Sequence, residues 1–159
     1  VPAVTWTTLT VADLYDAKAA PLIDAAREAV LGADQDDPVD RAIANVVARI
    51  RQEIAAGGRT VLAADTATIP PSLRSLAARM AVRELQSRPD VMDALPLTDT
   101  DKEAWRQDVR YLERIASGEI SVETSDSPEA SPSVQDSGAS AEQISSTPRR
   151  FTRDRLAGL

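Results

Sequence analysis

Between Asp37 and Gly58 the apolar side chains fall at Val39, Ile43, Val46, Val47, Ile50 and Ile54. Steps of three and four residues lay a single stripe along a helix, with Arg41, Arg49, Arg51 and Glu53 mostly off it. The ends of this helix are written beside it. Asp37 is placed as the N-cap, Pro38 suits the first turn, and Gly57 and Gly58 close the last. About nineteen helical residues would run about 28 Å at 1.5 Å each.

The same period returns on either side. Trp6 precedes Thr10 and Asp13, whose spacing is that of a capping box, so a short helix over about 11–18 is expected. A second helix follows through "APLIDAAREAVLG" to Gly32; the alternative is one helix kinked near Pro21. "RTVLAADTATIPP" reads as a connector with a candidate short strand at Thr60–Ala63. Pro70 and Pro71 then launch a helix with Leu73, Leu76, Ala77, Met80, Ala81 and Leu85 on one face, and Arg74, Arg79, Arg83 and Arg88 on the other. "PDVMDALPL" is a linker or a single turn. The last helix starts from Thr98 or Thr100 and carries acids in its first turn, which suits the helix dipole. Its stripe is Trp105, Val109, Leu112 and Ala116 with Ile115 beside it, Trp105 being expected as a core anchor, and Gly118 ends it. "GEISV" is a further candidate strand. These periods predict a mainly α fold, a small bundle of about four to five helices with a long extended C-terminal tail.

Composition narrows what such a bundle can do. The chain has 159 residues and only 3% aromatics, so one modest core built from Ala, Val, Leu and Ile is expected. Cysteine and histidine are both absent. Their absence removes thiolate metal sites, the commonest neutral metal ligand and the commonest general base. No nucleophile–base pair and no phosphate loop is found, so the chain reads as a non-enzyme with neither metal nor cofactor. Its longest apolar runs are a few residues, which predicts no transmembrane span and no signal peptide. Val1 in first place is read as the product of initiator-methionine processing, and the chain as cytosolic.

Net charge is −7, unevenly spread. Residues 1–118 hold 14 basic and 18 acidic side chains, residues 119–148 none and 6, and residues 149–159 hold 4 and 1. An acidic body is a poor candidate for gripping nucleic acid. The arginine-rich face of the Pro70-launched helix invites that reading, but a solvated face, or one paired with acidic neighbours, is the expectation.

Three segments follow: a helical domain over 1–118, a Ser/Pro/acidic tether over 119–148 and a terminal motif over 149–159. Residues 121–147 carry nine serines with Pro128 and Pro132, a linker composition of disordered type. The tip, "PRRFTRDRLAGL", breaks that pattern. Arg149, Arg150, Arg153 and Arg155 interleave with Thr152 and Asp154, while Leu156, Leu159 and Phe151, the chain's one phenylalanine, supply apolar anchors. A buried Phe removes roughly 150–250 Å² from water, worth about 4–6 kcal/mol before ordering costs. This suits a peptide that fills a crevice on another protein while its arginines meet carboxylates at the rim. Arg149, Arg150, Phe151, Arg153, Asp154, Leu156 and Leu159 are therefore the candidate partner-binding residues.

Four stretches together resemble the head–tail adaptor (head-completion or connector) proteins of tailed bacteriophages, of the type encoded by Mu-like phages. They are the Trp6–Thr10–Asp13–Leu14 start, "DDPVDRAIANVVARIRQEIAAG", "VRYLERIASGEISV" and the terminal "RRFTRDRLAGL". The chain departs from that pattern in "GGRTVLAADTATIPP", which is longer and lacks a Tyr after the Gly-Arg, and in ending on Leu159 where an aromatic is common. The resemblance implies a virion protein at the head–tail junction, repeated as a ring, usually a dodecamer, below the portal. Such a ring extends the DNA channel, passes genomic DNA without sequence-specific binding and offers a surface to the tail or to a stopper protein. The implied partners are portal protein, tail or neck protein and identical subunits, with no membrane. From the residues alone, a cytosolic helical adaptor whose tail is a linear motif for a cellular partner stays open. A DNA-binding regulator using the Arg74–Arg88 face is a third reading.

Overall fold

The computed structural model describes residues 3–16, 19–28, 36–88 and 98–129. Its elements in chain order are β1 (Thr7–Thr8), α1 (Val11–Asp16), α2 (Ala20–Glu28), α3 (Pro38–Gly57), β2 (Thr68–Ile69), a 3₁₀ turn (Pro71–Leu73), α4 (Arg74–Gln86) and α5 (Asp99–Ala116). The fold is mainly helical, as the periodicity predicts. α3 is the central element and packs on both α4 and α5, while α1 and α2 close over α3 and α4. Leu14, Leu22, Ile23, Ile50, Ile54, Met80, Leu85 and Leu112 meet in the core with essentially no exposed surface.

Capping residues set the helix ends. Asp37 accepts from the Val39 amide at 2.8 Å and binds Arg27 at 2.8 Å, tying the start of α3 to the last turn of α2. Burial opposes ionisation of Asp37, but the Val39 amide and Arg27 outweigh it and hold its carboxyl below the usual value. At the other end Gly58 takes φ 63°, the left-handed conformation that favours glycine, and its N–H donates to the Ala55 carbonyl. α5 starts at Thr98, whose hydroxyl accepts from the Asp101 amide while the Asp101 carboxylate accepts from the Thr98 amide. The Thr98 hydroxyl and amide keep Asp101 ionised below its ordinary range.

The box at α1 closes on one side only. Asp13 accepts from both the amide and the hydroxyl of Thr10, but the Asp13 amide donates to the Thr10 carbonyl rather than to its side chain. α1 and α2 are separate helices, with Pro21 in the first turn of α2. The predicted run of α2 to Gly32 passes beyond Glu28 into residues outside those described, as does the "PDVMDALPL" linker.

Two expectations shift. β2 lies at Thr68–Ile69 rather than at Thr60–Ala63, and pairs antiparallel with β1, Thr7 opposite Ile69 and Thr8 opposite Thr68. Of the predicted strand only Ala63 makes a bridge, to Pro128. The buried line of α5 is Asp108, Leu112 and Ile115, so Trp105 is a half-buried flank and not the expected core anchor; Trp6 is the buried indole.

Candidate functional site

The part of the body from which the tail departs is built by long-range pairing. After Gly118 the chain runs back along the molecule. Val122 is buried, the Val4 amide donates to the Thr124 carbonyl at 2.9 Å, and the Asp126 amide returns a bond to the Val4 carbonyl at 3.1 Å. The Ala64 amide donates to the Ser127 carbonyl at 2.9 Å, and the Glu129 amide to the Leu62 carbonyl at 2.7 Å. Side chains pin the same strap. The Trp6 indole N–H donates to the Glu123 carbonyl at 3.1 Å, and the Ser72 hydroxyl to the Glu123 carboxylate at 2.5 Å. Residues 119–129, counted with the tether by their composition, are thus bonded into the body. "GEISV" forms a turn at Gly118, a bend at Glu119–Ile120 and then irregular backbone leading into this strap, rather than a strand.

The loop that receives the strap is held by one arginine that the helical spacing set mostly off the apolar stripe. Arg51 is 7% exposed. Its guanidinium donates to the carbonyls of Asp65 and Thr68 at 2.9 Å each and of Ala63 at 2.7 Å. Its carbon lies 5.5 Å from the centroid of the Trp6 ring. Its planar fork presents donors from two separate nitrogens in a fixed geometry, whereas an ammonium would have to reach all three carbonyls from a single nitrogen. Arg51 therefore sets the shape of 63–68, and Trp6, stacked on it, carries the strap. The loop in which the sequence departs from the adaptor pattern is this one.

The arginine face of α4 is largely committed to acids. Arg74 binds Asp13 at 2.5 Å, and Arg79 makes two bonds to Asp108, at 3.0 and 2.6 Å. Burial works against the Asp13 carboxylate, yet the Thr10 amide, Arg74 and the Thr10 hydroxyl together lower its pKa. The Asp108 hydrogen bonds raise that of Arg79. Pairing with acidic neighbours, rather than a phosphate-reading stripe, is the arrangement at these two arginines.

Two open grooves flank α3. One, of about 380 Å³, runs between α3, α4 and α5 past Trp105, over which Arg49 sits at 5.8 Å, and past Arg83 and Glu84. The other, of about 640 Å³, lies between α3 and the Thr8–Val11 segment and is lined mainly by Leu9, Val11, Ile43, Ala44 and Val47. Ile43, expected in the core stripe, is half-buried here. No cluster of metal-ligating side chains occurs among the described residues, and no helix there is long and apolar enough to cross a membrane.

The predicted partner-binding residues Arg149, Arg150, Phe151, Arg153, Asp154, Leu156 and Leu159 lie outside the described residues. The structure supplies instead the root from which that segment departs, and the residues that form it, Arg51, Trp6, Leu62 and Ala64, were not singled out by sequence as functional. One signal was available: Arg51 is four residues after Val47 and three before Ile54, which puts it at the edge of the stripe.

No curated protein and no solved structure matches the chain. A family model described as Bacteriophage Mu, Gp36 matches residues 9–140, a segment that contains the five helices found among the described residues and the strap. With the greater part of its length matched, the chain belongs to the Bacteriophage Mu Gp36 family, a family of Mu-like phage proteins.

Proposed function

We propose that this chain is a structural protein of the phage neck, at the head–tail junction of the virion. Copies form a ring that joins the portal to the tail or a stopper protein and extends the DNA channel. The C-terminal segment is the latch, docking Phe151 and Leu156 into apolar pockets on portal or on neighbouring subunits while Arg149, Arg150 and Arg153 meet acidic groups. One observation carries the reading: the strap roots the tail on the body by backbone bonds at Val4, Leu62 and Ala64, so a pull on the tip is transmitted to the helical core. Family membership supports a virion role, and the excess of acidic side chains suits a channel wall that passes DNA without holding it. Side-to-side contacts between identical subunits close a ring, and an anchor repeated around that ring gains strength through effective concentration.

The test is assembly in a phage that encodes this chain with residues 149–159 deleted. The expected result is a folded body, DNA-filled heads and free tails that do not join. Joined particles at unchanged occupancy would show that the tip is not the latch.

A further inference from the structure

We infer that the groove beside α1 is the socket for the C-terminal motif of a second copy of this chain. This inference rests on the ring reading above and names the partner for its latch.

The choice between the two grooves follows from charge. The tip carries four arginines and one aspartate. The Trp105 groove presents two cations, Arg49 and Arg83, against one acid, Glu84. A cationic peptide is repelled there. The α1-side groove has no Lys or Arg among its described lining residues, and its one charged lining side chain is the exposed Asp40. Exposed Asp65 precedes the lining residue Thr66. Apolar floor and acidic rim are the complement of an Arg-x-Phe-x-Arg-x-x-Leu peptide, "RRFTRDRL" in this chain. At about 640 Å³ the groove has room for the Phe151 ring and a leucine together.

Chain length favours a neighbour over the same copy. The strap's last bond is to Leu62, and the groove residue Thr66 lies four residues further along the same loop, at most about 14 Å away. The segment from Glu129 to Phe151 can span at most about 75 Å. A tether several times longer than closure on its own copy requires suits a crossing to the adjacent subunit. Repeated around a ring, each tip would seat in the next copy and lock the circle.

The chain has no cysteine, so single cysteines report proximity cleanly. Full-length Ala44→Cys and Thr152→Cys proteins are mixed in equal amounts under mild oxidation, with Arg106→Cys, exposed on α5, as the control partner for Thr152→Cys. Linked peptides are identified by mass spectrometry. The expected result is a 44–152 bond between different copies, formed at least ten-fold faster than 106–152. Adding Asp40→Lys and Ile43→Glu to the groove copy should reduce it to the control rate. Equal rates for the two pairs, or a 44–152 bond found only within one chain of the double-cysteine protein, would overturn the socket. Rings seen by light scattering without the bond sink the socket and leave the proposed function standing. The bond formed by a protein that never joins heads to tails does the reverse.

Discussion

Gly57, the last residue of α3, lies against the backbone of Ile115 in the last turn of α5, so closely that a Cβ on Gly57 would overlap the Ile115 carbonyl oxygen. Gly118 is close to the same added Cβ, its Cα 3.7 Å away, and a Cβ added at Gly118 would stand 3.1 Å from the Gly57 carbonyl oxygen. Two helix ends that meet backbone to backbone fix where the strap begins. Gly57→Ala should destabilise the fold by about 1–3 kcal/mol through overpacking, read as a lower urea midpoint at unchanged slope. Gly58 has nothing within 4 Å of an added Cβ but sits at φ +63°. Gly58→Ala should cost about 1 kcal/mol of backbone strain, and Gly58→Asn less, since Asn tolerates the left-handed region.

Arg51 gives a prediction of a different kind. Arg51→Met keeps most of the aliphatic bulk but leaves the carbonyls of Ala63, Asp65 and Thr68 without their donor. Lost bonds to a charged group cost about 1.5–3 kcal/mol each in favourable cases, so a loss of about 3 kcal/mol is expected, with limited proteolysis appearing at 60–68. Arg51→Lys should recover less than half of it, because one ammonium cannot reproduce the fork. Full rescue by lysine would mean that charge, not geometry, holds the loop.

The helices were legible because the stripes and caps that make them lie within one or two turns of each other. Asp37, Gly58 and Thr98 each act over two or three residues, and the sequence names them. Trp105 was misplaced for a long-range reason. Arg79 on α4 supplies a partner for Asp108, so a charged residue turns inward and rotates the buried line of α5 away from the indole. The strap was hidden likewise. Residues 119–129 have the composition of a linker, and what orders them is a set of carbonyls and amides at Val4, Leu62 and Ala64 that no local pattern announces. The α1-side groove depends on three segments distant in sequence, and its residues read singly as core or turn.

Strap pairing predicts where amide protons are protected. The N–H groups of Val4, Ala64, Asp126 and Glu129 should exchange slowly in the folded protein, while those of Thr66 and Ser121 exchange fast. Ending the chain at Gly118 should cost about 3 kcal/mol relative to ending it at Glu129, from Val122 burial and the lost indole bond. Equal urea midpoints for the two truncations would return 119–129 to the tether.

Acid sensitivity follows from the caps. Asp13, Asp37 and Asp101 all have folded-state pKa values below the ordinary 3.8. A carboxylate lowered in the folded state contributes stability that is complete above its unfolded value and is lost as pH falls through the folded one. The urea midpoint should therefore be level from pH 5 to 8, where no histidine is present to titrate, and should fall below about pH 4. Asp37→Asn keeps an oxygen for the Val39 amide but not the charge for Arg27. It should lower the neutral-pH midpoint slightly and make the acid limb shallower.

The Arg79–Asp108 clamp separates two readings of the α4 face. If Arg79 serves the fold, Asp108→Asn removes a two-bond ion pair across α4 and α5 and should cost about 1.5–3 kcal/mol. Double-mutant coupling with Arg79→Gln should then be positive, with the second change costing less than the first. If instead the face serves DNA, freeing Arg79 should strengthen DNA binding, and the logarithm of affinity should steepen against that of salt by about one phosphate contact. The paired geometry predicts coupling in stability and a flat salt response before and after the substitution. A steep slope already present in the unsubstituted protein would mean that basic side chains outside this clamp hold phosphate, and the acidic channel wall would have to be given up.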